Sequence, residues 1–406
     1  MNVTSPTTVT LERHRHEMED ERDVDLDLQS APRIGVDLHV LDGKFQGSRT
    51  HCIEIFSRVP ALLPEMKFLF LGDIPRWAPG LAERFSSANT ELVQMPSTSS
   101  IQRLGLQLPL ITFRHRLDLL HTQYVCPLIS RCATAVTIHD ILFETHPQFF
   151  TPFFNFRSRV LFRRAARRSK RVFTVSAFSR DELVRCYGVS PEKIILIKNA
   201  ADTNKFYAGD AGADKLASLQ LVRDGYFLSV GRLEPRKNYP RLIRAYAKLP
   251  ADAPKLVIVG QKDFGFDEIF HVSQECRLGN RLQILENVSD EMLGPLYRNA
   301  RAMVYPSLAE GFGMPIVEAM ASHVPVLTSY GTALSETGGD AALLVDATSE
   351  NQIVNGLTRL LYDDDLLREL RAKSAARARE FRWEASAAAV ASAYRTLFQP
   401  PLRAAQ

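Results

Sequence analysis

The chain has 406 residues, 45% hydrophobic and 24% charged, with 50 basic against 46 acidic side chains and a net charge of +4. That composition fits a soluble globular protein of two ordinary domains, and so small a net charge gives no case for nucleic acid as a partner. The five cysteines are scattered with no Cys-x-x-Cys pair. No apolar run approaches the roughly 20 residues of a membrane span, so a reduced, cytoplasmic setting without a structural metal is expected.

Residues 1–32 are polar, carry the dense charge run Glu12 to Asp27 and lack the apolar core of a signal peptide; they read as a disordered tail. From Arg33 the pattern changes. Short β-rich runs at Ile34–His39, Phe68–Leu71, Leu119–Thr122, Ala135–Ile138, Val172–Val175 and Ile194–Ile197 alternate with helical stretches at Arg49–Leu63, Phe154–Arg168 and Ser179–Tyr187. A connection follows, from Asn199-Ala-Ala-Asp202 to about Gly212. A second series then has strands at Tyr226–Val230, Leu256–Val259, Leu282–Leu285, Ala302–Tyr305, Val324–Leu327 and Ala342–Val345. Its helices include Tyr239–Lys248, Asp290–Arg298 and Gln352–Tyr362, and an Ala-rich amphipathic helix, Glu384–Phe398, closes the pattern. The class is therefore α/β, with two Rossmann-like parallel-sheet domains at 33–202 and 203–380 and a closing segment at 381–406. Ligands of such sheets bind beyond the carboxyl ends of the strands, which puts the site in the cleft between the domains.

The densest motif is Tyr305-Pro-Ser-Leu-Ala-Glu310-Gly311-Phe312-Gly313-Met314-Pro315-Ile-Val-Glu318. An apolar strand end, a loop with two glycines and a proline at a helix start make an anion site, because free backbone N–H groups point outward and the glycines admit a phosphate. Glu310 and Glu318 bracket it. A carboxylate beside a phosphate is costly unless it binds something else, and sugar hydroxyls are the natural candidates. In Ser229-Val-Gly231-Arg232-Leu-Glu-Pro-Arg-Lys237-Asn238, Gly231 permits close backbone approach while Arg232 and Lys237 can converge on one point. Arg236 reads as solvated surface. Two placed cations would stabilise a departing diphosphate.

Three further segments lie at strand ends. His139 follows Thr137-Ile138, where it is either a site residue or a structural histidine, and Asp140 can cap the next turn. Asp42-Gly43-Lys-Phe-Gln-Gly47-Ser48 is either a ligand loop or a simple strand–helix turn. Asn287-Val288-Ser289-Asp290 precedes a helix that Ser289 or Asp290 would cap, and Ser179 reads as a cap in its own segment. Arg157, Arg159, Arg163, Arg164, Arg167, Arg168, Lys170 and Arg171 crowd one helix and its exit. Phe153, Phe154, Phe156, Val160, Leu161 and Phe162 interleave with them and read mostly as core. The cations form either a solvated face or a peripheral contact with anionic membrane.

The spacing from Glu310 to Glu318 resembles the E-x7-E motif of retaining glycosyltransferase family 4, and the Gly231–Asn238 segment is similar to that family's V-G-R-L-x-x-x-K-N pattern. Phe381-Arg-Trp383-Glu-Ala resembles its closing motif. The resemblance spans about Arg33 to Phe398, although Gly43 and Gly47 are further apart than in the usual glycine loop. It implies a GT-B fold whose last helix crosses back to the first domain. It also implies a donor site with Glu310 by the hexose and Glu318 on the ribose. Arg232 and Lys237 would lie on the diphosphate, and His139 would face the sugar from the acceptor side. Gly47 would lie near donor phosphate and acceptor, with Gly231, Val288 and the Gly311–Phe312–Gly313–Met314 loop completing the donor contacts.

The expected reaction moves a hexose from a nucleotide-diphosphate sugar of the GDP-mannose or UDP-glucose type to a hydroxyl of a glycan or lipid-linked acceptor. No metal and no cofactor are expected. Glu-Gly-Phe-Gly-Met-Pro with His-Asp-Ile is similar to polysaccharide mannosyltransferases, which favours mannose. A nucleotide-sugar epimerase of the same fold and a non-catalytic sugar-nucleotide-binding subunit are the alternatives.

Overall fold

The computed structural model describes residues 31–42 and 47–399. Most of the tail expected over 1–32, together with Gly43 and residues 400–406, lies outside the described residues.

Seven parallel strands form the first sheet: β1 (Arg33–Asp37), β2 (Lys67–Gly72), β3 (Thr90–Gln94), β4 (Leu119–Gln123), β5 (Ala133–Thr137), β6 (Arg171–Thr174) and β7 (Ile194–Leu196). Their spatial order is β3-β2-β1-β4-β5-β6-β7. The second sheet holds β8 (Tyr226–Val230), β9 (Lys255–Val259), β10 (Leu282–Leu285), β11 (Ala302–Tyr305), β12 (Val326–Ser329) and β13 (Ala342–Val345), in the order β10-β9-β8-β11-β12-β13. Both orders reverse once, between β1 and β4 and between β8 and β11. Those two switch points are where an open parallel sheet leaves a crevice at its carboxyl edge.

The strands form where apolar runs can be buried on both faces. Phe68 to Leu71 and Leu256 to Val259 are buried throughout. β3 has no such run, since its residues are mostly half-exposed at the sheet edge, and sequence reading passed it over. β12 starts two residues later than expected because Pro325 has no N–H for the ladder; its carbonyl instead accepts from Met303 N at 2.8 Å. The helix expected over Arg49–Leu63 is two helices, Gly47–Phe56 and Val59–Leu62, the second starting beside Pro60.

The closing helix Trp383–Phe398 packs on the first domain, as the resemblance implied. Tyr394 Oη meets His121 Nδ1 at 2.5 Å, Ser386 Oγ donates to Lys198 O at 2.6 Å, and Arg395 pairs with Glu65 at 2.9 Å. Trp383 and Tyr394 belong to an apolar cluster that continues through both domains.

Candidate active site

The second-domain half is built on the ends of β8 and β11, the strands flanking its switch point. Asn238, in a left-handed conformation at φ 63°, donates to Pro306 O at 3.0 Å and to Ala347 O at 2.7 Å, locking the Gly231–Asn238 loop onto the loops after β11 and β13. Glu310 sits at the junction. Arg236 donates to one of its oxygens at 2.7 Å, while Lys237, Tyr305 Oη and Ser307 Oγ donate to the other, the last two at 2.9 Å. Burial alone would raise this acid, but Arg236 and Lys237 outweigh it and hold the pKa at about 2.

Two expectations change here. Arg236 is not solvated surface, because it is largely buried between Glu310 and Glu234. Arg232 and Lys237 do not meet on one partner. Lys237 is buried against Glu310, whereas Arg232, about one-third exposed, pairs with Asp263.

The glycine loop is tight for two separate reasons. A β-carbon on Gly311 would lie 2.7 Å from the Asp140 side chain of the other domain. Gly313 has φ 96°, which side-chain-bearing residues avoid, and starts the helix Met314–Ala321. Glu318 lies on that helix half-buried, with Tyr297 Oη donating to it at 2.7 Å; burial raises its pKa. Phe312 turns its ring into the core, edge-on to Phe381 at 5.7 Å between centroids. Only the backbone of Phe312 therefore faces the loop. Val288 and Met314 are partly buried against the same core.

The first-domain half gathers at the ends of β4 and β5. His139 is buried, and its Nε2 has no hydrogen-bond partner. Its ring is 4.7 Å from His51 and 5.4 Å from Tyr124, centroid to centroid. His51 bonds Asn199 through Nδ1 at 2.7 Å, and its own Nε2 lacks a partner. Burial pulls both imidazoles down, His51 to about 4 and His139 well below the usual value, so both are neutral bases near pH 7. Asp140 accepts from Leu142 N at 3.3 Å, as a cap would, and faces the Arg236–Glu310 network across the cleft. Gly47 opens its helix opposite Met314, whose Sδ would lie 3.6 Å from a β-carbon at that glycine.

Backbone contacts close the halves together. Ser176 Oγ and Ser179 Oγ both donate to Gly311 O, at 2.7 and 3.3 Å. The cap of the helix Ala177–Tyr187 is Ser176, not Ser179. Ser289 occupies the N-cap position of Asp290–Arg298 without a side-chain bond. His51, Tyr297, Tyr305 and Ser307 had been given no role from sequence. Tyr305 and Ser307 alternate at a strand end and so share a side, and His51 lies one turn beyond Gly47 and Ser48. Both patterns were available.

The arrangement combines cations, a helix N-terminus and two carboxylates in one domain with neutral imidazoles in the other. A model described as "Glycosyl transferases group 1" matches residues 215–381, and one described as "Glycosyltransferase Family 4" matches 49–205. O-antigen chain mannosyltransferase B of Escherichia coli is 33% identical over 285 residues, covering 68% of this chain and 72% of that relative. The chain belongs to glycosyltransferase family 4. A second relative, O-antigen chain mannosyltransferase RfbU of Salmonella typhimurium, is 32% identical over 242 residues, 59% of this chain and 64% of its own length. The crystal structure of Anabaena Alr3699/HepE in complex with UDP and glucose matches with a TM-score of 0.71 at 20% identity, over 90% of this chain and 100% of that one. The two sheets thus have the GT-B arrangement, and the chain is a glycosyltransferase.

Proposed function

We propose that this glycosyltransferase moves a hexose, mannose by preference, from a nucleotide-diphosphate sugar to a hydroxyl of a glycan or lipid-linked acceptor, with retention at the anomeric carbon. The observation that carries the reading is the placement of Arg232, Lys237, Glu310 and the Glu318 helix at the carboxyl edge of one switch point, opposite His139 on the other sheet. The names of the two mannosyltransferase relatives support the choice of sugar and of a polysaccharide acceptor. The UDP and glucose of the fold neighbour support the donor class. The five free cysteines support a reducing, cytoplasmic setting.

In this reading Arg232, Lys237 and the N–H groups at the start of Met314–Ala321 take up the charge of the departing diphosphate without a metal ion. The bond from the anomeric carbon to phosphate oxygen breaks, and the bond to the acceptor oxygen forms on the same face. The acceptor proton passes to the phosphate oxygen that leaves. Glu310 fixes Lys237 and Arg236 at the mouth of the sugar site, Glu318 holds ribose hydroxyls, and the neutral Nε2 of His139 accepts from a sugar hydroxyl.

The test is transfer from GDP-mannose and UDP-glucose to membrane-extracted glycolipids, with the product anomer read by NMR. An α-linked product from an α-linked donor, formed only with acceptor present, is the expected result. An inverted product, or donor turnover independent of acceptor, would overturn it.

A further inference from the structure

We propose that one face of the first domain is a seat for an anionic lipid bilayer, placed so that an acceptor held in that bilayer reaches His139. Three segments make the face: the helical run 100–114, the loop after β4, and the helix Pro152–Arg168. Each presents large apolar side chains to solvent. Ile101 is 84% exposed, Ile129 76% and Phe153 75%, and Leu110, Phe113 and Phe156 are exposed beside them. On the helix Pro152–Arg168 only part of the apolar set is core, contrary to expectation. Phe154 and Phe162 pack inward, whereas Phe153, Phe156 and Val160 form an outward stripe at helical spacing.

The segments are fastened to one another. The Arg131 guanidinium lies over the Phe113 ring at 4.6 Å, joining loop to helical run. Arg164 donates to Pro127 O at 3.2 Å and to Leu128 O, joining loop to helix. Arg103, from the inner side of the helical run, pairs with buried Asp37 at the end of β1, so the apolar side is left facing out.

Charge selects the occupant. The sequence has no Asp or Glu between Glu91 and Asp118, between Asp118 and Asp140, or between Glu144 and Asp181. Arg157, Arg163 and Arg168 are exposed within the last of these stretches. A second copy of the chain would set this positive field against itself, whereas anionic headgroups match it while the apolar tips enter the acyl boundary. Among the described residues no helix is long and apolar enough to cross a membrane, so the contact lies on the surface. The face is also next to the site. Tyr124, which begins the loop, lies between His139 and Phe162 of the helix, its ring tilted against each at 5.4 and 5.8 Å between centroids. Only this placement relative to the acceptor rests on the proposed function; the lipid contact does not.

The experiment is co-sedimentation of the full chain with phosphatidylglycerol-containing and pure phosphatidylcholine vesicles at low and high salt. Two triple variants are compared, I129S/F153S/F156S and R157Q/R163Q/R168Q. Wild type should bind the anionic vesicles, and each triple should lower partitioning at least about tenfold with the melting temperature retained. Only the arginine variant should lose the salt dependence. Failure of wild type to bind anionic vesicles at low salt overturns the proposal. So does undiminished binding by the serine variant, or a self-association that this variant abolishes without change in vesicle binding. Vesicle binding without transfer to any acceptor would leave the seat standing and remove the proposed reaction.

Discussion

At Glu310 four donors compete for two carboxylate oxygens, and two of them are cations. Removing the charge leaves Lys237 buried without its carboxylate and Arg236 with Glu234 alone, so Glu310→Gln should destabilise the fold by about 3–5 kcal/mol in urea titrations near pH 7. The pH dependence has a fixed sign. Folding lowers the acid from 4.5 to about 2, so its contribution is complete above pH 4.5 and fades as the pH falls towards 2. The stability gap between wild type and Glu310→Gln should close over that interval; a gap independent of pH would refute the depressed acid. The same burial means that Lys237→Ala is not a clean probe of diphosphate binding. Arg232→Ala is cleaner, since its pair with Asp263 is about one-third exposed on both sides. It should change stability by less than about 1 kcal/mol yet lower kcat/KM by about 2–4 kcal/mol of transition-state stabilisation. Steady-state kinetics beside a melting curve separates the two. Spacing made Glu310, Glu318 and Lys237 legible in the sequence. It hid the role of Arg236, because a cation next to a cation reads as surface until an acid three strands later in the chain is seen to fold against it.

The helix Ala177–Tyr187 couples the domains at its first turn. Glu336, from the second domain, accepts from Ala177 N at 2.9 Å and Phe178 N at 2.8 Å, so an acid of one domain stabilises the helix N-terminus of the other. Glu336→Ala should cost about 1–2 kcal/mol and raise the donor KM more than it lowers kcat. Small-angle scattering should show a larger radius of gyration; an unchanged radius and KM would remove the clasp from domain closure. Elements of this kind divide by how their signal is written. Phe68–Leu71 and Leu256–Val259 were legible because buried parallel strands are continuous apolar runs. β3 was not, because an edge strand needs only one covered side. Ser179 reads as the cap because the charged Arg180, Asp181 and Glu182 follow it, whereas Ser176 precedes apolar Ala177 and Phe178; the backbone at Ser176, extended at φ −148°, makes the cap. Cross-domain partners such as Glu336 leave no local trace at all.

At the scale of the whole molecule, the closing helix joins the end of the sequence to its beginning. A chain ending after residue 382 should lose the contacts of Trp383 and Tyr394, side chains whose truncation costs about 3–5 kcal/mol each when buried. Limited proteolysis of that shortened chain should leave a resistant core within 215–381, whose second apolar cluster is its own, while 33–197 is digested. Equal protection of both regions would contradict the dependence. The family resemblance foretold where this helix goes; its composition did not, since an Ala-rich amphipathic helix packs on any apolar sheet. The crossover also sets an order of events during synthesis. The ribosome releases the first domain's strands earliest, yet the helix that covers them is delivered after both sheets have emerged. The first domain is therefore made before the second yet completed after it, and until residues 383–398 arrive its bare flank is a natural client for chaperones.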